Sequence, residues 1–137
     1  MSAILVAAAS FALAGLIGWW LNRRAGVLRA SPKAASSADD AAFLGLAPGR
    51  PAVVHFSAPW CGPCAGLRRV VETVCAEFGD VEHHEIDIDA DPEAARRFAV
   101  LSLPTTLIFD AEGQQSYRAS GVPSVAALRA ALEPLRR

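Results

Sequence analysis

The chain has 137 residues, with 13 Lys and Arg against 14 Asp and Glu and a formal net charge of −1. One small domain plus an appendage fits that length, and the near-neutral charge argues against a nucleic-acid partner or a broad basic membrane-binding surface. Three cysteines are too few for a disulfide-stapled scaffold, and no internal repeat is visible.

Residues 3–21 are an uninterrupted run of apolar and small side chains without a charge. At a rise of about 1.5 Å per residue, such a helix reaches roughly 28 Å, close to the hydrocarbon thickness of a bilayer. Trp19 and Trp20 stand at its end, where amphipathic rings favour the headgroup region, and Asn22-Arg23-Arg24 follows, with Arg29 and Lys33 beyond. A secretory signal peptide opens on basic residues and closes on a small-residue cleavage site, whereas this run has its basic residues behind it and ends in two tryptophans. A retained single-pass anchor is therefore preferred over a cleaved signal or a buried soluble helix. By the positive-inside rule the basic flank faces the cytoplasm, which puts the following domain on the cytoplasmic side of the cell membrane.

The expected organisation is an anchor with its basic flank over residues 1–24, a tether over 25–40 rich in Ala and Ser with Pro32 inside it, and a folded domain over 41–137. Ser37, with Asp39 and Asp40 behind it, starts a short helix through Leu46. Pro51 to Ser57 is a short apolar, β-branched run that reads as a buried strand. It leads into Ala58-Pro59-Trp60-Cys61-Gly62-Pro63-Cys64. Beyond that, Leu67, Val70, Val71, Val74, Cys75 and Phe78 recur with the spacing of one apolar helix face, and Gly79-Asp80 closes the helix.

With Cys61 as N-cap, Gly62, Pro63 and Cys64 form the first turn, where a proline is tolerated because its missing N–H had no intrahelical partner. Helical spacing puts the two cysteine Cα atoms roughly 5 Å apart, within reach of a disulfide. The positive end of the helix dipole favours a thiolate at Cys61, while Cys64 is the more shielded thiol. Cys61 attacks and Cys64 resolves.

Val81 to Asp89 alternates as a strand with Ile86 and Ile88 on one face and Glu85 and Asp87 on the other. Asp91-Pro92-Glu93 starts a helix that runs to about Phe98. Thr105 to Phe109 is the next strand, Asp110 to Gly113 a hairpin turn, and Gln114 to Arg118 an edge strand. Ser124 caps a final helix carrying Val125, Leu128 and Leu132. The order implies a mixed α/β sheet with helices on both faces and a right-handed crossover between the Val53 and Val81 strands.

Trp-Cys-Gly-Pro-Cys after a hydrophobic strand resembles the active site of the thioredoxin family, and the likeness extends over about residues 50–137. Leu103-Pro104-Thr105 stands where thioredoxins carry a cis-proline loop against the two sulfurs, and Gly121 followed by Ser124 resembles the glycine loop before their last helix. The resemblance implies a thioredoxin fold and a substrate groove made by Trp60, Leu103, Pro104 and Gly121, with Gly62 and Pro63 structural at the motif. It also implies protein-disulfide substrates, a thioredoxin reductase as electron donor, and no cofactor or metal in this chain. The Gly-Pro filling is similar to that of reducing thioredoxins, with a potential of about −270 mV. Thioredoxins usually carry a strand before the first helix of the domain. Only Val27-Leu28-Arg29 could supply one here, so the domain either lacks it or carries it almost against the membrane.

His55 departs from the family, standing where many thioredoxins bury an acid, and Glu85 stands where a lysine often partners that acid. His55 either fills space as a neutral strand histidine or accepts the proton of Cys64, a task its ordinary pKa of about 6.5 suits. Cys75 lies on the apolar stripe and reads as a small core residue. His83 and His84 point to opposite strand faces, which disfavours a two-histidine metal site. Arg68-Arg69 and Arg96-Arg97 read as solvated helix faces. The reading is a membrane-tethered protein-disulfide reductase. Its rivals are an extracytoplasmic reductase of envelope or apocytochrome thiols, a non-catalytic zinc or interaction module, and a redox-active adaptor.

Overall fold

A computed structural model describes residues 2–32 and 38–136. Ser37, the expected cap, lies outside the described residues. Helix α1 spans Ser2–Asn22, and its 19-residue segment Ile4–Asn22 is long and apolar enough to cross a membrane, with a mean hydropathy of 2.0 and no part buried against the rest of the chain. Tight turns carry the backbone on from it: Arg23 N–H donates to Trp19 O, Arg24 N–H to Leu21 O and Ala25 N–H to Asn22 O. The guanidinium of Arg23 lies 3.8 Å above the Trp19 ring and that of Arg24 lies 3.7 Å above Trp20.

The remaining elements are β1 (Arg29–Ala30), α2 (Ala38–Phe43), β2 (Ala52–Ser57), α3 (Cys64–Phe78), β3 (Glu82–Asp87), α4 (Pro92–Arg97), β4 (Thr105–Phe109), β5 (Gln115–Ser120) and α5 (Val125–Leu132), closed by a 3₁₀ turn at Glu133–Arg136. The sheet order is β1-β5-β4-β2-β3, with β2 and β3 parallel and the other pairs antiparallel.

Side-chain alternation along the central strand builds two cores. Ala52, Val54 and Phe56 face one way and pack with Leu107 and Phe109 against Ala41 of α2 and Ala94 of α4. Val53 faces the other way and packs with Ile108 against Leu67, Val71 and Val74 of α3 and Leu128 and Leu132 of α5. Each fully buried Val or Leu stabilises the fold by roughly 1.5–3 kcal/mol before cavity effects. Three helix ends follow their local chemistry. Gly79 takes a left-handed φ of 71° and its N–H closes α3 onto Cys75 O, Asp91 accepts from Ala94 N–H at the start of α4, and Ser124 accepts from Ala127 N–H at the start of α5.

Three expectations are corrected. Helix α2 stops at Phe43 rather than Leu46, because Gly45 adopts a φ of 70° and the chain turns there. The strand β5 is not an edge strand: its outer side is covered by β1, with Arg29 opposite Arg118 and Ala30 opposite Tyr117. The stretch expected to be a tether is consequently tied down, since Gly26 N–H donates to Ser120 O at 2.6 Å and Ser31 N–H to Ser116 O at 2.9 Å. An uncovered β5 would leave a row of backbone donors and acceptors open, and residues 26–31 satisfy them.

Candidate active site

At the end of β2 the chain leaves the sheet through Ala58 and Pro59, turns with Cys61 N–H donating to Ala58 O, and enters α3. The first helical residue is Cys64, with Pro63 as its N-cap, so Cys61 stands three residues ahead of the helix rather than capping it. Gly62 and Pro63 form the intervening turn. The two sulfurs are bonded to each other and the Cα atoms lie 5.5 Å apart. Cys64 is 2 % exposed, while Cys61 is only half-buried. One sulfur of the pair is therefore open to a partner and the other is covered.

The Leu103–Pro104 bond is cis. Pro104 is buried and its carbonyl accepts from Gly121 N–H at 2.8 Å, while Leu103 is half-buried and Thr105 Oγ1 donates to Ser102 O. Register brings these pieces to one end of the sheet: Phe56 of β2 lies opposite Thr105 of β4, and Thr105 lies opposite Ser120 of β5. Trp60 is 68 % exposed, with its indole N–H donating to Asp89, and Leu101 is 94 % exposed. Gly121 has a φ of 89°, and a Cβ there would meet Gly26 N and Ala25 Cβ. That glycine is covered by the segment following α1.

Beneath the start of α3 lies a polar group within the second core. His55 follows Val53 by two residues, so it points to the α3 side, and it is 0 % exposed. Its Nε2 lies 3.5 Å from Oε1 of Glu85, its register partner on β3, and its Nδ1 lies 3.1 Å from His83 Nε2 with the rings stacked. Glu85 also accepts from Ser57 Oγ at 2.8 Å and from two guanidinium nitrogens of Arg68, one at 2.7 Å. Those bonds from Arg68, with the one from Ser57, hold the Glu85 carboxyl down at about 2. Burial pushes His55 from 6.5 down to about 4, against the attraction of Glu85, and burial lowers His83 as well. The ordinary histidine value on which the base reading leaned is thus corrected, and His55 is neutral at neutral pH. Among the described residues, His55 Nε2 and its cross-strand neighbour Thr106 Oγ1 are buried without a hydrogen-bond partner.

His83 and Arg68 were not tied to the site by sequence reasoning. The relevant clue was the parallel pairing of β2 with β3, which puts His83 next to Val53 and Glu85 next to His55. Arg68, expected on a solvated face, is four residues beyond Cys64 and folds down onto Glu85. Arg97 similarly pairs with Asp40 and covers the Phe43 ring. Cys75 is a free thiol on the α3 side of the core, and burial pushes it up to about 11.

The thioredoxin family model matches residues 42–134, so α1 and β1 precede the match. Thioredoxin of Mycolicibacterium smegmatis is 41 % identical over 86 residues, which cover 61 % of this chain and 76 % of that protein. The bifunctional thioredoxin reductase/thioredoxin of Mycobacterium leprae is 38 % identical over 92 residues, 65 % of this chain and 20 % of the relative. The X-ray structure of Fasciola hepatica thioredoxin superimposes with a TM-score of 0.58 at 34 % identity, covering 65 % of this chain and 84 % of that one.

Proposed function

The chain belongs to the thioredoxin family and is a thiol–disulfide oxidoreductase with a redox-active cysteine pair, and from that premise we propose that it reduces protein disulfides while anchored in a membrane by α1. The observation that carries the chemistry is the asymmetry of the pair, with an accessible Cys61 ahead of the helix and a buried Cys64 as its first residue.

The thiolate of Cys61 attacks one sulfur of a substrate disulfide, forming a mixed disulfide and releasing the other sulfur as a thiolate that takes up a proton. Cys64 then loses its proton and attacks the Cys61 sulfur, which expels the second substrate sulfur as a thiolate and leaves the Cys61–Cys64 disulfide seen here. Two electrons pass to the substrate. The resolving proton needs an acceptor beneath the helix. In the tautomer that carries its proton on Nδ1, toward His83, His55 offers the buried Nε2 lone pair, and Glu85 at 3.5 Å stabilises the imidazolium formed for that instant. Trp60, Leu103 and Pro104 supply the walls against which the substrate segment lies, with Gly62 and Pro63 shaping the turn between the sulfurs.

Positive flanking charge at Arg23 and Arg24 supports a cytoplasmic domain. The M. leprae relative, whose name joins the two activities in one protein, supports a thioredoxin reductase as electron donor. The test is reduction of insulin by the full chain in neutral detergent with NADPH and thioredoxin reductase. Turnover that vanishes in Cys61→Ser supports the reading, and no turnover by the wild-type chain with either enzymatic or chemical reductant refutes it. A membrane-impermeant thiol reagent applied to intact cells, sparing Cys61 until lysis, checks the side of the membrane.

A further inference from the structure

The helix expected to anchor the chain and the redox pair meet at the same end of the sheet. Antiparallel pairing puts Ser120 at the finish of β5 opposite Thr105 at the start of β4, which lies opposite Phe56 near the finish of β2. Gly26, four residues after α1, is hydrogen-bonded to Ser120 O, and the next amide, Gly121 N–H, is bonded to Pro104 O. From Gly26 to the end of β2 is three inter-strand spacings of about 4.8 Å each, roughly 14 Å.

The connection has no slack. Helix-like turns carry the chain to Ala25, and β1 zips residues 26–31 along β5. Gly26 has a φ of 77° and a Cβ there would fall on the Val122 carbonyl, so the segment is packed directly onto the loop beyond β5. Four residues of at most 3.8 Å, added to that 14 Å, keep the end of β2 within roughly 30 Å of Asn22. Apolar exposure is concentrated at this end too. Among the described residues outside α1, the large exposed apolar side chains are Val27, Phe43, Trp60 and Leu101, and three of them flank the starts of β1 and β4 or the finish of β2.

We infer that the dithiol is held facing the membrane surface at a fixed height, and that its substrates are disulfides in juxtamembrane segments of membrane-embedded or membrane-anchored proteins rather than in freely soluble ones. The inference rests on the anchored-reductase reading and adds to it a substrate class. The segment 25–26 takes over the rim that Gly121 would otherwise offer, so the groove is walled on one side by the chain emerging from the anchor. A disulfide near the bilayer enters between that wall and Trp60.

The test uses the full, pre-reduced chain in phosphatidylcholine vesicles with a single-span peptide that carries a fluorophore through a disulfide. In one peptide the disulfide is five residues from the span; in the other a 40-residue helical spacer lifts it by about 60 Å. The near probe should be released at least tenfold faster. A 20-residue Gly-Ser insertion between Asn22 and Arg23, ahead of the groove wall, should abolish that preference while leaving reduction of soluble insulin unchanged. Equal rates on the two peptides for the wild-type chain, or a preference that survives the insertion, overturn the inference. Loss of insulin reduction by the wild-type chain condemns the reductase reading instead, and a chain washed from vesicles by alkaline carbonate removes the anchor and the inference with it.

Discussion

His55 and Glu85 are paired in register on β2 and β3, and the buried imidazole Nε2 lies 3.5 Å from the carboxylate Oε1. The carboxylate is nevertheless committed to Arg68 and Ser57, so burial prevails and the imidazole stays neutral.

That neutrality sets an acid limb for stability. An imidazole at about 4 in the fold and about 6.5 in the unfolded chain lets the unfolded state bind a proton first. Stability is full above about pH 6.5 and falls as the pH approaches 4, by about 3 kcal/mol from this group. Glu85, held at about 2, adds stability above its ordinary 4.5 that is lost as the pH falls below it. Urea midpoints of the wild-type chain should drop between pH 7 and pH 4.5, and His55→Leu should flatten that window.

His55→Ala should slow release of substrate from the mixed disulfide by about 100-fold, the lower end of the range for a positioned base, and leave the first attack by Cys61 nearly unchanged. Rapid-quench measurement of the two steps from pH 6 to 8 separates them. Release at the wild-type rate across that range rules out the proton-acceptor role.

Arg68→Gln removes the bonds that contribute most to lowering Glu85. The Glu85 carboxyl should move up toward 4.5, read directly as the midpoint of its carboxyl carbon shift in an NMR titration. A Glu85 midpoint still near 2 would show that Ser57 and His55 suffice.

Gly26→Ala combines a left-handed φ with a collision on the Val122 carbonyl. Backbone strain of this kind costs about 1–3 kcal/mol before the collision is counted. Amide exchange at position 26 and at Ser31, whose N–H groups donate to Ser120 O and Ser116 O, should accelerate at least tenfold while amides of β2 and β4 keep their protection.

Cys75, pushed up to about 11 by burial, should resist iodoacetamide at pH 7.5 in the folded, reduced protein, while Cys61 is alkylated within minutes. Mass mapping after a brief pulse should show label on Cys61 alone, with Cys75 modified after unfolding in urea.

Elements with a strong local period were legible from residues alone. The α3 stripe from Leu67 to Phe78 lies on one core, Asp91 and Ser124 cap the helices they precede, and Gly79 ends α3. Elements whose existence depends on a distant partner were not. A two-residue strand such as β1 has no period, and it forms because β5 presents an open edge to residues 26–31. For the same reason β5 reads as an edge from its residues alone, and only the pairing with β1 shows otherwise.

The dithiol motif, the proline before β4 and the apolar run of α1 are properties of consecutive residues, because helix capping, proline geometry and bilayer thickness act over a few turns of chain. Those the sequence determined by itself. The company kept by His55 and the place where the chain leaving α1 joins the sheet were decided only by tertiary structure. Strand order and register are chosen by which backbone edges and apolar faces remain to be covered, and that choice alone sets Glu85 and His83 around one imidazole and brings Gly26 to the end of the sheet that carries Cys61.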